Sequence, residues 1–278
     1  MAYKTILTVV SSKSQTSQVD AAIGIARRED AHLEVFCLGV DHSQAGYYYA
    51  GASAYVFQES IDKALAAAEE LEGSIRNRLE QEDIRWSMDN AVAQVGGLTT
   101  LIGMRARFAD LVVLNRPYGD NASPDGEAIT EAALFEGSAP VLILPETGLT
   151  KNYGKKIMVA WNQSEEAMTA VRRSRPLLKA AESVEITVVD PSPHGPERSD
   201  PGGALSQMLS RHGINVEIAV LARTMPQVSD ILDKRARETG ADMIVMGAYG
   251  HSRFREAILG GTTRSMLTKA SIPVLMAR

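Results

Sequence analysis

Short runs that are apolar on both faces of the backbone alternate along this chain with longer stretches in which apolar residues recur every three or four positions. In the C-terminal half, Ile157–Trp161, Val184–Val189, Val216–Leu221, Met243–Met246 and Pro273–Ala277 read as strands. Between them, Ser164–Ala181, Gly203–Arg211, Gln227–Thr239 and Thr263–Ala270 read as helices. Ser164-Glu165-Glu166 opens the first helix, and Gly240 ends the third. Pro176 should kink the first, because its ring removes a backbone donor and crowds the preceding turn. Strands apolar on both faces suit a parallel sheet covered by helices on both sides. Their alternation with helices of this length implies right-handed βαβ units. The expected fold class is therefore α/β, with doubly wound parallel sheets.

The pattern occurs twice. Lys4–Val10 resembles Lys155–Trp161, and His32–Val35 resembles Ser183–Ile186, both 151 residues apart. Ala109–Leu114 resembles Ala241–Met246 at a spacing of 132, and Ser138–Ile143 resembles Ser271–Met276 at 133. Four blocks recurring in one order are the mark of a duplication. The fall in spacing from 151 to 132 places 19 extra residues in the first half, around Asp41 to Arg78. That region holds Tyr47-Tyr48-Tyr49 and Tyr55, either an interface cluster or aromatics folded onto their own domain. Glu146–Gly154 is polar and carries turn glycines, so the expected domains are residues 1–147 and 153–278.

Composition narrows the function classes. Of 278 residues, 29 are basic and 34 acidic, a formal charge of −5. With no basic run, neither nucleic acid nor an anionic membrane is an expected partner. Cys37 is the one cysteine and sits in an apolar run, so no disulfide framework or cysteine-based zinc site can form. The five histidines, His32, His42, His194, His212 and His251, include no pair at i,i+4 ligand spacing. Met1-Ala2-Tyr3-Lys4 enters a short strand without a signal-peptide core, and no stretch of 18 apolar residues follows. A cytoplasmic address is the default expectation.

One loop stands out. After Met243–Met246 come Gly247, Gly250, Gly260 and Gly261, followed by Thr262-Thr263 at the start of a helix. Glycine at the carboxyl end of a strand lets the backbone turn tightly and approach a ligand. The free N–H groups and positive dipole end of the following helix suit an anion. Thr262 and Thr263 offer hydroxyls, and His251, Ser252 and Arg253 flank the other side. The loop reads as a phosphate cradle without a Walker lysine, and it is not a G-x-G-x-x-G dinucleotide motif. The alternative is that these glycines serve only turns and helix caps.

Gly247, Gly250 and Gly260 form the series Gly-x2-Gly-x9-Gly between two apolar strands. This pattern resembles that of the universal stress protein family, whose members are adenine-nucleotide-binding α/β domains, often in tandem pairs. The resemblance implies ATP or a related adenine nucleotide as ligand, with or without Mg2+, and a regulatory or sensor role. The family motif continues with Ser or Thr where this chain has Gly261, so one hydroxyl is absent while the N–H remains. Thr263 falls on a later position that is often Ser or Thr. The family's Asp at the end of the first strand is Asn162 here, which keeps hydrogen bonding but not the charge. Asn162 reads equally as a turn or cap residue. A backbone contact to the base falls near Val188.

The first repeat lacks the motif. Asn115–Gly126 contains no Gly-x2-Gly, Glu127-Ala128 replace the paired glycines, and Ser11-Ser12 replace the strand-end Asp. This repeat is not expected to bind ATP in the family's manner. The resemblance also implies antiparallel pairing of Val141–Leu144 with Val274–Met276, making an intramolecular pseudo-dimer that could dimerise again. No nucleophile with a paired base and no carboxylate cluster appears, so at most slow ATP hydrolysis is expected. Two readings follow: a nucleotide-responsive module acting on an unidentified regulatory protein, or an interaction scaffold with a vestigial site.

Overall fold

The computed structural model describes residues 2–43, 54–119, 122–150, 152–191, 199–248 and 261–278, with side chains from residue 58 onward in the helix that begins at Ala54. Two compact units divide the chain, Tyr3–Ala139 and Pro140–Arg278. In the first, strands β1 (Thr5–Val10), β2 (His32–Asp41), β3 (Arg85–Gln94) and β4 (Leu111–Asn115) alternate with helices α1 (Thr16–Glu29), α2 (Ala54–Leu79), α3 (Leu98–Ala106) and α4 (Gly126–Glu131). The order is β3-β2-β1-β4, and every pair is parallel. Ile6 pairs with Leu33 on one side and Leu111 on the other, and all three are fully buried. Burial on both faces explains why these strands read as unbroken apolar runs.

The second unit repeats the plan. Its strands are β5 (Val141–Leu144), β6 (Lys156–Ala160), β7 (Ser183–Val189), β8 (Val216–Leu221), β9 (Met243–Gly247) and β10 (Val274–Ala277). Its helices are α5 (Glu165–Arg173), α6 (Arg175–Ala180), α7 (Gly203–Arg211), α8 (Val228–Thr239) and α9 (Thr262–Lys269). The order is β5-β10-β9-β6-β7-β8, parallel apart from β5. The expected kink at Pro176 is a full break. Two helices meet at buried Ser174, and Pro176 lies in the first turn of the second, where its missing N–H costs nothing. Gly240 ends α8 in the left-handed region at φ 67°.

The compact units part at Ala139/Pro140, ahead of the polar stretch where the sequence repeats meet, because β5 pairs antiparallel with β10. Val274 faces Ile143, Leu275 faces Leu142, and Met276 faces Val141, the pairing that the resemblance implied. The longer first repeat finds part of its extra length in α2, whose 26 residues stand against nine in α7. Tyr47, Tyr48 and Tyr49 lie outside the described residues. Cys37 is fully buried in β2, and burial pushes its thiol up to about 12, so it packs as a small hydrophobe.

The end of β2 is tied to α2 through buried Asp41. Its carboxylate accepts from Ser60 Oγ at 2.6 Å and from Ser43 N and Oγ at 2.9 Å each. These donors, Ser60 foremost, hold its pKa down at about 2. A carboxylate depressed on folding adds stability above its unfolded value near ~4, and that stability is lost as pH falls toward the folded value. Replacing Ser60 with Ala should therefore lower stability at neutral pH, with the loss fading as pH falls toward the folded value, as read by urea unfolding followed by circular dichroism. Unchanged stability at neutral pH would contradict the role of this anchor.

Candidate functional site

In an open α/β sheet, ligands bind outside the carboxyl ends of the strands where the strand order reverses. In the second unit that point lies between β6 and β9. Gly247 ends β9, and a Cβ there would come 2.5 Å from Ala167 N and 2.8 Å from the Glu166 carbonyl carbon. The first turn of α5 thus presses against the strand end, and no larger residue fits without moving backbone. Ser164 caps α5, its Oγ accepting from Ala167 N at 3.1 Å. Asn162 Oδ1 accepts from Ser164 N at 3.2 Å, so this residue shapes the turn between β6 and α5.

α9 begins on the same carboxyl side, since it crosses back before β10. Gly261 is its N-cap and offers no side chain to cap the leading N–H groups. Its first turn is tied to that of α8: Ser265 Oγ donates to Gln227 Oε1 at 3.0 Å, and Ser229 Oγ donates to Ser265 Oγ at 2.8 Å. Thr262 is half-buried, whereas Thr263 is turned into the interior. Of the two hydroxyls singled out in sequence, Thr262 is the one nearer the surface. Gly250, His251 and Gly260 lie outside the described residues.

Val188 is buried in β7. Trp161 N donates to Thr187 O, and Asp190 N donates to Leu221 O, each at 2.8–2.9 Å. By alternation, the peptide groups of Val188 are turned toward β8. Those of Val189 face past the end of β6.

The first unit answers the same position differently. Gln18 of α1 is fully buried at the ends of β1 and β4. Its amide nitrogen donates to Thr8 Oγ1 at 2.9 Å and to Val9 O at 2.7 Å. Its oxygen accepts from Asn115 N at 2.7 Å and from Gln15 Nε2 at 3.1 Å. Gln15 Oε1 in turn accepts from Ser11 N and Ser12 N at 2.8 and 2.9 Å. Two glutamines thereby satisfy the strand-end peptides that a ligand would use. In the second repeat their places fall to Glu166 and Thr169, and Asn115 is matched by Gly247. Thr169 bonds its own helix at Glu165 O, so that plug cannot form there. Buried Asp125 adds a carboxyl to the first site. Burial pushes its pKa up, against the pull of His42 at 3.6 Å. The sequence reading saw the lost glycines but not this plug, although Gln15 and Gln18, one turn apart at a helix start, were its signal.

Both units are doubly wound α/β domains in which the strand order reverses beside the first strand of the repeat, between β1 and β4 and between β6 and β9. Residues 154–278 match the model described as the universal stress protein family. A curated relative, Universal stress protein Slr1230 of Synechocystis sp. (strain ATCC 27184 / PCC 6803 / Kazusa), is 33% identical over 76 residues. That stretch is 27% of this chain and only 25% of the relative. Over the full length, the fold is that of a universal stress protein from Archaeoglobus fulgidus DSM 4304. The TM-score is 0.75 at 16% identity, covering 99% of this chain and 96% of the other.

Replacing Gln18 with Leu would remove the partners of Asn115 N–H and Val9 C=O at the strand ends. The expected loss is about 1–3 kcal/mol of stability, read by urea unfolding. A neutral or stabilising effect would show that the plug is dispensable.

Proposed function

We propose that the second domain binds ATP or a related adenine nucleotide at the carboxyl ends of β6, β7 and β9, with or without Mg2+, and that occupancy regulates association with partner proteins. The observation that carries this reading is the sequence series of glycines that begins with Gly247 at the end of β9, beside the sheet's switch point, and ends with Gly261 at the N-cap of α9. The match of residues 154–278 to the universal stress protein family model supports it. The roles follow from chemistry. The α9 N-terminus and Thr262 take phosphate oxygens, Gly247 allows close backbone approach, and the Val189 peptide and Asn162 meet the base or ribose. No residue is assigned a proton-transfer role, so the reading is of binding and not of turnover.

A second reading, a scaffold with a vestigial site, is favoured by two observations. Gly261 removes a family hydroxyl, and Asn162 spends its oxygen on a local turn. Calorimetric titration of the full chain with ATP separates the two, with one site per chain expected. Gly261→Ser should tighten binding about fivefold, the ~1 kcal/mol of one added hydrogen bond. No heat at millimolar ATP, with wild type and with Gly261→Ser, would leave the scaffold reading.

A further inference from the structure

The first domain holds a cleft that its nucleotide-type strand ends do not explain. It lies between α1 and α2 beside the last residue of β1, with a volume of about 390 Å3. That is within the range of small-molecule sites, roughly 300–1,000 Å3. Its apolar wall is Val10, Val19, Leu71 and Ile75, each less than a tenth exposed. Lys13 and Arg78 stand at the mouth with side chains 63% and 44% exposed. Hydroxyls of Ser12, Thr16 and Ser74 share the rim, and Asp20 is the one acid there.

The duplication supplies an internal comparison. Val10 corresponds to Trp161 in the second repeat, and the two hold the same register: Val10 pairs with Cys37, and Trp161 lies beside Val188. Trp161 is buried, so the second domain fills this strand-end position with its own indole. The first domain places a small valine there and builds the opposite wall from a helix of 26 residues in place of nine. A small residue and a longer wall together leave the space.

We infer that this cleft binds a small amphipathic carboxylate, with its hydrocarbon against Val10, Val19, Leu71 and Ile75 and its head group at Lys13 and Arg78. Both cations already have acidic neighbours: Lys13 pairs with Glu70, and Arg78 pairs with Glu82 and, at 3.2 Å, with Asp20. The pairs with Glu70 and Asp20 are exposed on both sides, and such pairs are weak and exchange readily. Glu82 is mostly buried but has Arg27 as a second partner, so a carboxylate anchored by its tail can recruit the cations without leaving Glu82 unpaired. The site is separate from the nucleotide reading and does not rest on it.

The test is titration of the full chain with decanoate by calorimetry, repeated with decanol and with saturating ATP. Decanoate is expected to bind once per chain, at least tenfold more tightly than decanol, with or without ATP. Val10→Trp, a residue the second repeat accepts at this position, should weaken decanoate at least tenfold. Ser74→Trp should do the same from the opposite wall and decides the matter if Val10→Trp fails to fold. Lys13→Ala with Arg78→Ala should erase the preference over decanol. Absence of decanoate binding, binding unchanged in Ser74→Trp, equal affinity for decanol, or displacement by ATP would each overturn the inference.

Discussion

The carboxyl ends of a parallel sheet, where strand order reverses, leave peptide groups that no neighbouring strand can satisfy. The two halves of this chain meet that need differently. In the first, the Gln18 carboxamide closes four hydrogen bonds among β1, β4 and Gln15. Those peptides are then bonded within the domain, and buried Asp125 adds a carboxyl. In the second, Thr169 is spent on its own helix, and Gly247 carries no side chain to reach back. The same fold thus yields a sealed end and one left to a glycine loop.

A fold duplicated in one chain frees one copy to change. The first domain shows what the change allows: a long α2 anchored through Asp41 and Ser60, and a cleft where its sister domain places an indole. The β5–β10 pairing protects two apolar strands whose edges would otherwise invite aggregation. That pairing is written into Val141–Leu144 and Val274–Ala277, which carry no charge and no proline.

Most of the architecture was legible in sequence because parallel strands buried on both faces leave little freedom in pattern. Met243–Met246 lies in β9 and Gly203–Arg211 forms α7, where the residues placed them. Pro176 marked a break and not merely a bend, because Ser174 is buried at the junction and both helices pack down. The unit boundary was less legible, since the polar stretch Glu146–Gly154 follows β5 while β5 packs with the strands of the second unit. The site was half legible. Glycines announce a turn by type, but a buried glutamine's role depends on which peptides the fold brings to it. The inward turn of Thr263 and the facing of the Val189 peptide are likewise set by register, which composition does not reveal.

The most direct test of this asymmetry is the backbone amide spectrum of the intact chain with and without saturating ATP. Ligand received only by the second domain should shift the amides of Gly247, Val189 and Gly261 while leaving Ser11 and Asn115 in place. Movement of Asn115 and Ser11, or an unchanged spectrum throughout, would contradict the account.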